Sequence, residues 1–241
     1  MKPVIAVTSG KRSAWIGCLP FRLALYLAGG RCRRVFPGSP VRPGDVDGLI
    51  LSGGRDIFPL HFRGAAKEGY RYNHRRDELE LWWVGQARAR DMPVLGVCRG
   101  AQLMAVAHQG SLYPAVRRAY RNARYPRHPA SALYFRKVIS LRAFSRIRGI
   151  IRAATLRVNS LHSQSIRHAG RGLVVTARED NGVVQTIEDP GRRFFVGVQF
   201  HPELLLYRRV FRRIFTDLVA AAGERRGRYL ITVRHRSGEL R

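Results

Sequence analysis

The sequence places a cysteine where a strand is expected to turn sharply into a helix. Residues 94–103 read VLGVCRGAQL, so Cys98 stands between Gly96 and Gly100 at the start of an Ala/Leu/Met-rich segment. This G-x-C-x-G pattern is a cysteine version of the nucleophile elbow, in which flanking glycines let two backbones approach closely. The helix N-terminus and the neighbouring Arg99 favour a thiolate. The pattern predicts that Cys98 is a nucleophile; a buried structural cysteine is the alternative.

A thiolate that attacks a carbonyl needs a proton shuttle, and the segment QFHPE offers one. His201 and Glu203 follow an apolar run, and residues i and i+2 of an extended segment point the same way. Glu203 can therefore fix the tautomer of His201 and stabilise its cationic form. Together with the elbow, this segment predicts a catalytic triad of Cys98, His201 and Glu203.

A glycine pair after another apolar run supplies the third piece of an acyl-transfer site. The segment LSGG ends in Gly53 and Gly54. Acyl transfer requires N–H donors aimed at the developing oxyanion. We expect these donors at Gly53 or Gly54, together with the N–H of Arg99. A simple turn is the alternative interpretation of the pair.

The elements that must position these residues follow an alternating order in the first half of the chain. Apolar runs rich in β-branched residues alternate with segments of helical period, which is typical of a parallel sheet with crossover helices. The site is then expected at the carboxyl ends of the strands. Asp77 is the expected cap of the second helix. Strands are predicted over residues 3–7, 47–54 and 93–97, and helices over 21–28, 77–89 and 99–107.

The second half of the chain reads as a set of strands followed by one amphipathic helix. Asp180-Asn181-Gly182 is a strong hairpin signal. An Arg/Tyr/Pro-rich stretch over 113–129 is predicted to be a loop, and the helix is predicted over 205–222. We divide the chain into a domain over 1–222 and a basic C-terminal extension over 223–241, which includes a β-like YLITV. The strands are predicted over 135–140, 156–161, 172–177, 182–187 and 194–200.

Charge and cysteine content limit the classes of function. The 241 residues carry 44 basic and 16 acidic side chains, for a formal net charge of +28, which attracts polyanions or reflects a compositional bias toward Arg. The chain contains no recognised nucleic-acid motif, so a specific nucleic-acid partner is not expected. Three cysteines without CxxC spacing predict no disulfide framework, no metal site and no cofactor, and a cytoplasmic protein. No run is long enough to cross a bilayer.

Five segments carry a resemblance to a known family. LSGGRDIFP, RRDELELWW, PVLGVCRGAQL, VNSLHSQSI and GVQFHPE occur in this order. Their combination resembles the class I glutamine amidotransferase-like superfamily, and within it the γ-glutamyl-γ-aminobutyrate hydrolase branch of the peptidase C26 type. The resemblance spans roughly residues 3–222. It implies an α/β, flavodoxin-like amidotransferase fold with a mostly parallel central sheet flanked by helices.

The resemblance also implies a reaction and a set of site residues. Cys98 would attack the γ-carbonyl of a γ-glutamyl amide, His201 would protonate the leaving amine, and Glu203 would orient His201. Water would then release glutamate from the thioester. A cationic wall suits a glutamyl group, because Arg can bind its α-carboxylate with two parallel hydrogen bonds. The implied substrate-binding residues are Arg99, Gln102, Asn159, Ser160, His162 and Gln164.

Departures from the family pattern bear on the substrate. The family usually has a proline at Ser52 and a small residue at Arg55, so this chain would carry a positive charge at the pocket rim. Asn73-His74 lies where an aspartate is common, and Gln109-Gly110 replaces a Gly-Gly pair. None of these changes removes a member of the predicted triad.

Three functions therefore compete. The first is a hydrolase of a γ-glutamyl amide in a small metabolite. The second keeps the chemistry but makes the chain a glutaminase subunit that delivers ammonia to a separate synthetase. The third is a non-catalytic binding protein for an acidic partner, and the net positive charge is the only observation that supports it. A homodimer, the leaving amine and the role of residues 223–241 stay open.

Overall fold

The fold consists of one large sheet, one small sheet and helices on both faces of the large one. The computed structural model describes residues 1–10, 16–123, 125 and 134–238, with side chains through residue 227. The strands are β1 (Val4–Thr8), β2 (Arg31–Val35), β3 (Gly48–Leu51), β4 (Val94–Val97), β5 (Ser111–Tyr113), β6 (Lys137–Leu141), β7 (Thr155–Val158), β8 (Ser165–His168), β9 (Val174–Arg178), β10 (Val184–Glu188) and β11 (Phe195–Val198). The α-helices are α1 (Leu19–Leu27), α2 (His74–Ala89), α3 (Arg99–Ala107), α4 (Val116–Ala119), α5 (Arg146–Ile151) and α6 (Arg209–Gly238).

The large sheet divides into a parallel half and an antiparallel half. Its order is β2-β1-β3-β4-β11-β10-β9-β6-β7, and β5 pairs with β8 in a separate sheet. The strands from β2 to β11 in this order are parallel to one another. The remaining pairs are antiparallel. Since five of the nine strands run parallel, the predicted α/β fold with a mostly parallel sheet and flanking helices is confirmed.

Apolar residues on both faces of the sheet explain why these segments form its centre. All residues of β3 and β4 are buried, as expected of parallel strands covered by helices on both sides. One core packs α1, α5 and α6 against the sheet and includes Phe211 and Phe215. A second core packs α2 and α3 against the opposite face and includes Trp83 and Met104. The parallel strands are therefore fixed from both sides.

Most predicted elements are present, and the differences have physical reasons. The helix predicted over 99–107 is α3 with the same bounds, and the hairpin at Asn181 joins β9 to β10. The prediction missed β2, β5, β8, α4 and α5. Strand β2 has the sequence RCRRV, in which three of five residues are arginines and only Val35 is fully buried. It therefore shows no apolar run by which a strand could be predicted. The predicted loop over 113–129 contains α4 and otherwise extends into residues outside the described ranges.

Two predictions about helix ends are wrong. The cap of α2 is Asn73, whose side chain accepts from the N–H of Arg76, whereas Asp77 is completely buried within the helix. The β-like YLITV lies within α6, which continues to Gly238. Helix α6 thus passes through the predicted boundary at residue 222, and the division of the chain stays a prediction. Among the described residues, no helix is long and apolar enough to span a membrane.

Candidate active site

Three adjacent parallel strands deliver the three predicted segments to one edge of the sheet. Leu51 of β3 pairs with Gly96 of β4, and Val97 of β4 pairs with Val198 of β11. Because these strands run in the same direction, the residues that follow them emerge side by side. The glycine pair, Cys98 and the His201 segment therefore meet, although they are far apart in the sequence.

Cys98 occupies a strained backbone conformation at the turn from β4 to α3. Its φ is 53° and its ψ is −105°, and only 6% of the residue is exposed. The Cys98 N–H donates to the carbonyl of Val198 at 2.7 Å, which ties the elbow to β11. A Cβ at Gly100 would overlap the carbonyl of Leu51, so only glycine allows this approach. Strain of this kind at a cysteine is typical of a held nucleophile.

His201 is held both through its ring and through its backbone. Its Nδ1 lies 2.7 Å from Glu203 Oε1, so the two side chains meet, although Pro202–Leu204 forms a 3-10 helix and not the extended segment that was expected. Asn159 clamps the backbone: its side chain accepts from the His201 N–H at 2.9 Å and donates to the His201 carbonyl at 3.1 Å. These bonds fix the position of the imidazole, which lies close enough to Cys98 for the two groups to interact electrostatically.

The electrostatics of this arrangement favour a cationic His201. Burial lowers the pKa of His201, but the negative charges of Glu203 and Cys98 and the hydrogen bonds to both groups outweigh it. The net result is a pKa well above the ordinary 6.5. An imidazolium beside Cys98 is available to protonate a leaving amine at neutral pH.

The glycine turn after β3 lies directly against the reactive groups. A Cβ at Gly53 would fall 2.8 Å from His201 Cε1 and 3.8 Å from Cys98 Cβ. Arg99 is the first residue of α3, so its N–H has no acceptor within that helix. The glycine turn and the start of α3 thus lie beside Cys98, and the role of the Gly53, Gly54 and Arg99 N–H groups as oxyanion donors stays a prediction.

The Arg99 side chain is buried and forms ion pairs within the protein. Its guanidinium is paired with Glu80 and Asp77 of α2, and only 2% of the residue is exposed. The two carboxylates outweigh burial and raise the pKa of Arg99. The charge is thus neutralised inside the protein by two carboxylates of α2. A contact between Arg99 and the substrate's carboxylate stays a prediction.

Three further predicted substrate ligands also use their side chains within the protein. Gln102 donates to the carbonyl of Gln164 at 2.8 Å and to the side chain of Gln199 at 3.1 Å. Gln164 bonds both backbone groups of Ile57, at 2.9 and 3.1 Å. Ser160 is fully buried and accepts from Gln185 at 3.0 Å. The Gln102, Gln164 and Ser160 side chains therefore connect segments around the site, and their contact with substrate stays a prediction.

His162 is the predicted pocket residue that borders open space. It lines a cleft of about 460 Å³ that also reaches Gly54, Arg55 and Tyr125. Its Nδ1 lies 2.7 Å from the carbonyl of Gln164. Burial, only partly opposed by that hydrogen bond, lowers the pKa of His162 to about 4. His162 is therefore neutral at pH 7, unlike His201.

Sequence reasoning missed several residues that the fold brings to the site. Gln199 lies within the recognised QFHPE segment, and its Nε2 is 3.7 Å from Cys98 Sγ. Arg76, Asp77 and Glu80 form buried ion pairs beneath the glycine turn. Four charged residues within the five-residue segment RDELE, residues 76–80, were the available signal. Within the described ranges, no group of three or more His, Cys, Asp or Glu side chains is arranged to hold a metal ion.

Comparison with known proteins identifies the family to which the chain belongs. The sequence model of the peptidase C26 family matches residues 44–203. A Schizosaccharomyces pombe protein named as a glutamine amidotransferase is 30% identical over 212 residues, which is 85% of this chain and 80% of that protein. The γ-glutamyl-γ-aminobutyrate hydrolase of Escherichia coli K12 is 27% identical over 163 residues, 66% of this chain and 64% of that protein.

Solved structures agree with the fold. A Thermoplasma acidophilum protein described as one subunit of a GMP synthase superposes with a TM-score of 0.64 at 20% identity, over 94% of this chain and 97% of that one. A glutamine amidotransferase from Thermotoga maritima gives 0.63 at 14% identity, over 93% and 98%. At these identities the likeness concerns the fold alone, and it confirms the architecture expected from the sequence.

Proposed function

This chain belongs to the peptidase C26 family, and on that premise we propose that it hydrolyses a γ-glutamyl amide bond through a glutamyl thioester on Cys98. Family membership supports a cysteine-dependent amide hydrolase that acts on a small molecule. The substrate is a γ-glutamyl amine or a γ-glutamyl amino acid. The observation that carries the proposal is the meeting of a strained Cys98, a cationic His201 and a bare glycine turn at three neighbouring strand ends.

The first half of the reaction forms the thioester. The Cys98 thiolate attacks the γ-carbonyl carbon, and the carbonyl oxygen becomes an oxyanion that accepts from the N–H groups of Gly53 or Gly54 and Arg99. As the tetrahedral intermediate collapses, the C–N bond breaks and His201 donates its proton to the leaving amine. Glu203 keeps Nδ1 of His201 engaged throughout, at 2.7 Å in the free protein.

The second half consumes water. Neutral His201 takes a proton from a water molecule, and the resulting hydroxide attacks the thioester carbon. The C–S bond then breaks, glutamate leaves, and the Cys98 thiolate is restored beside a protonated His201. The same histidine therefore acts as an acid in the first half and as a base in the second.

A panel of amides tests the proposal. Purified protein is incubated with γ-glutamyl-γ-aminobutyrate, γ-glutamyl polyamines, γ-glutamyl peptides and glutamine, and the released glutamate and amine are measured by mass spectrometry. We expect release from at least one γ-glutamyl amide other than glutamine, lost in Cys98→Ala and kept in Cys32→Ala. Cys32 is a matched control because it is another free thiol, located on β2 at the edge of the sheet.

A glutaminase subunit is the second candidate, and the names of relatives favour it. The S. pombe relative is named as a glutamine amidotransferase. If this function is correct, the panel shows turnover of glutamine alone, with the amide nitrogen released as ammonia. Turnover of a γ-glutamyl amine in the absence of any synthetase would contradict the subunit role. Silence on every γ-glutamyl compound would contradict both candidates.

A further inference from the structure

A buried arginine on α2 lies directly behind the glycine turn. Arg76 is 7% exposed. Its Nη2 donates to the Ser52 carbonyl at 3.0 Å and to the Gly53 carbonyl at 2.9 Å, and it also contacts the Ser52 hydroxyl at 3.0 Å. A single guanidinium thus holds two successive peptide carbonyls of the turn.

Holding these carbonyls also fixes the direction of the predicted oxyanion donors. The Ser52 carbonyl and the Gly53 N–H belong to one peptide unit, and the Gly53 carbonyl and the Gly54 N–H belong to the next. In a planar trans peptide the C=O and N–H point in opposite directions. Because Arg76 binds both carbonyls on one side of the turn, both N–H groups are directed to the other side. A donor on each carbonyl also polarises the peptide and strengthens its N–H as a donor.

The same arginine is linked to the residue that follows the nucleophile. Arg76 Nε donates to Glu80 Oε1 at 2.8 Å, and Glu80 also accepts from the Thr8 hydroxyl at 2.6 Å. The other oxygen of Glu80 is paired with Arg99. Burial raises the pKa of Glu80, but the positive charges of Arg76 and Arg99 lower it by more. The net pKa lies below the ordinary value, so the carboxylate stays ionised. One completely buried carboxylate therefore joins both sources of the oxyanion donors.

We propose that Arg76 is a positioning residue that sets the oxyanion hole by orienting the Ser52–Gly53 and Gly53–Gly54 peptides. It reaches no reacting atom and acts only through these two peptides. The inference rests on the proposed acyl transfer at Cys98. Beyond an intact triad, it requires that the glycine turn be held by the Arg76 guanidinium. Without this guanidinium the glycine turn can rotate its N–H groups away, while the thiolate and its histidine stay in place.

Two substitutions and one matched control separate positioning from general structure. Arg76→Lys keeps the positive charge next to Glu80 but loses the planar fork. Arg76→Gln removes the charge. Arg75→Gln is the control, because Arg75 is the exposed neighbour on the same helix. Each variant is assayed on the best γ-glutamyl amide of the panel and on p-nitrophenyl acetate, an ester that also requires an oxyanion. Alkylation of Cys98 by iodoacetamide is measured in parallel, because that reaction forms no oxyanion.

We expect kcat to fall about 100-fold in Arg76→Gln and about tenfold in Arg76→Lys, since one oxyanion donor is worth about 100-fold or more. KM should change by less than about threefold, because the loss concerns the transition state. Alkylation and the Arg75→Gln variant should match the wild type. If Arg76→Gln fails to fold, the kcat of Arg76→Lys tests the inference on its own, because Glu80 keeps a cationic partner in that variant.

Other outcomes overturn the inference, and they differ from failure of the proposed function. Wild-type turnover in both Arg76 variants, or a parallel loss of turnover and alkylation, would contradict a positioning role. If the wild type cleaves the ester through Cys98 but none of the γ-glutamyl amides, the proposed function fails, and the ester rates still decide the role of Arg76.

Discussion

The two polar segments that meet beside Cys98 use their side chains in opposite ways. In residues 201–203, the His201 and Glu203 side chains bond to each other, and His201 faces the thiol. In residues 159–164, Asn159 and Gln164 bond backbone groups on neighbouring segments. The first segment carries the groups that we propose to be reactive. In the second segment, Asn159 holds the backbone of His201 and Gln164 holds that of Ile57. In this chain, polar residues of one motif therefore bond to the backbone, whereas those of the other bond to each other beside Cys98.

The largest effect is expected where the reactive segment meets the glycine turn. In Gly53→Ala, the new Cβ would lie 2.8 Å from His201 Cε1, so the imidazole or the turn must move. We expect kcat/KM to fall about 1,000-fold, because both the oxyanion donors and the proton donor are displaced. Steady-state kinetics on the best γ-glutamyl amide measure this loss.

Gly44→Ala is the control for that prediction. A Cβ at Gly44 would meet no atom within 4 Å, and Gly44 is an exposed residue away from the site. It should hydrolyse like the wild type. Comparable rates in the two variants would show that the Gly53 turn does not form part of the reactive region.

Removing the charge of Glu203 should shift the pH profile. Burial lowers the pKa of His201 and Glu203 raises it, so in Glu203→Gln the pKa of His201 falls. The imidazolium is the proton donor, and activity is lost as pH rises through its pKa. The alkaline limb of kcat/KM should therefore move to lower pH, and kcat should fall about 100-fold. An alkaline limb at the same pH as in the wild type would contradict the claim that Glu203 raises the pKa of His201.

The supporting segment should respond in stability more than in chemistry. Asn159→Ala leaves the backbone N–H of His201 without its acceptor at 2.9 Å and the carbonyl without its donor. We expect the free energy of unfolding to drop by about 1–3 kcal/mol. Urea denaturation measures that drop, and kinetics should show a smaller loss than in Glu203→Gln. A loss of activity as large as that of Glu203→Gln, with unchanged stability, would move Asn159 into the reactive region.

The smallest effect concerns the second histidine. Since the pKa of His162 is about 4, His162→Gln should leave the pH profile of hydrolysis unchanged at neutral pH. The pH dependence of stability also has a predicted direction. Between the pKa of His162 in the folded protein and its ordinary value of 6.5, the residue is protonated in the unfolded chain but neutral in the folded one. The wild type should therefore lose stability as pH falls through this range, and His162→Gln should lose less. Urea titrations at about pH 7 and pH 5 test this, and equal losses would contradict a neutral His162.

Local sequence signals predicted the parts of the molecule that depend on neighbours along the chain. The elbow at Cys98 needs only a strand, two glycines and a helix, and α3 begins and ends as predicted. His201 and Glu203 pair as expected of neighbours two residues apart, but through a 3-10 turn at Pro202–Leu204 and not through the extended backbone that the expectation assumed. Strands β3, β4 and β11 were visible as apolar runs, and their parallel order then determined where the site lies.

The remainder depended on contacts between distant segments. The family resemblance implied that Arg99 holds the substrate, but it did not predict that Asp77 and Glu80 of α2 pair with this guanidinium in the free protein. No local pattern reveals that these side chains meet, because 19 and 22 residues separate the partners. Asp77 looked like a helix cap for the same reason: its buried position follows only from the packing of α2 on the sheet.

The central claim is a covalent glutamyl intermediate on Cys98, and intact-protein mass spectrometry of an acid-quenched reaction tests it most directly. The wild type, mixed with an excess of the best γ-glutamyl amide, should gain the mass of one glutamyl group, and peptide mapping should place it on Cys98. Cys98→Ala should show neither the adduct nor turnover. Turnover that persists in Cys98→Ala, or an adduct on another residue, would contradict the account.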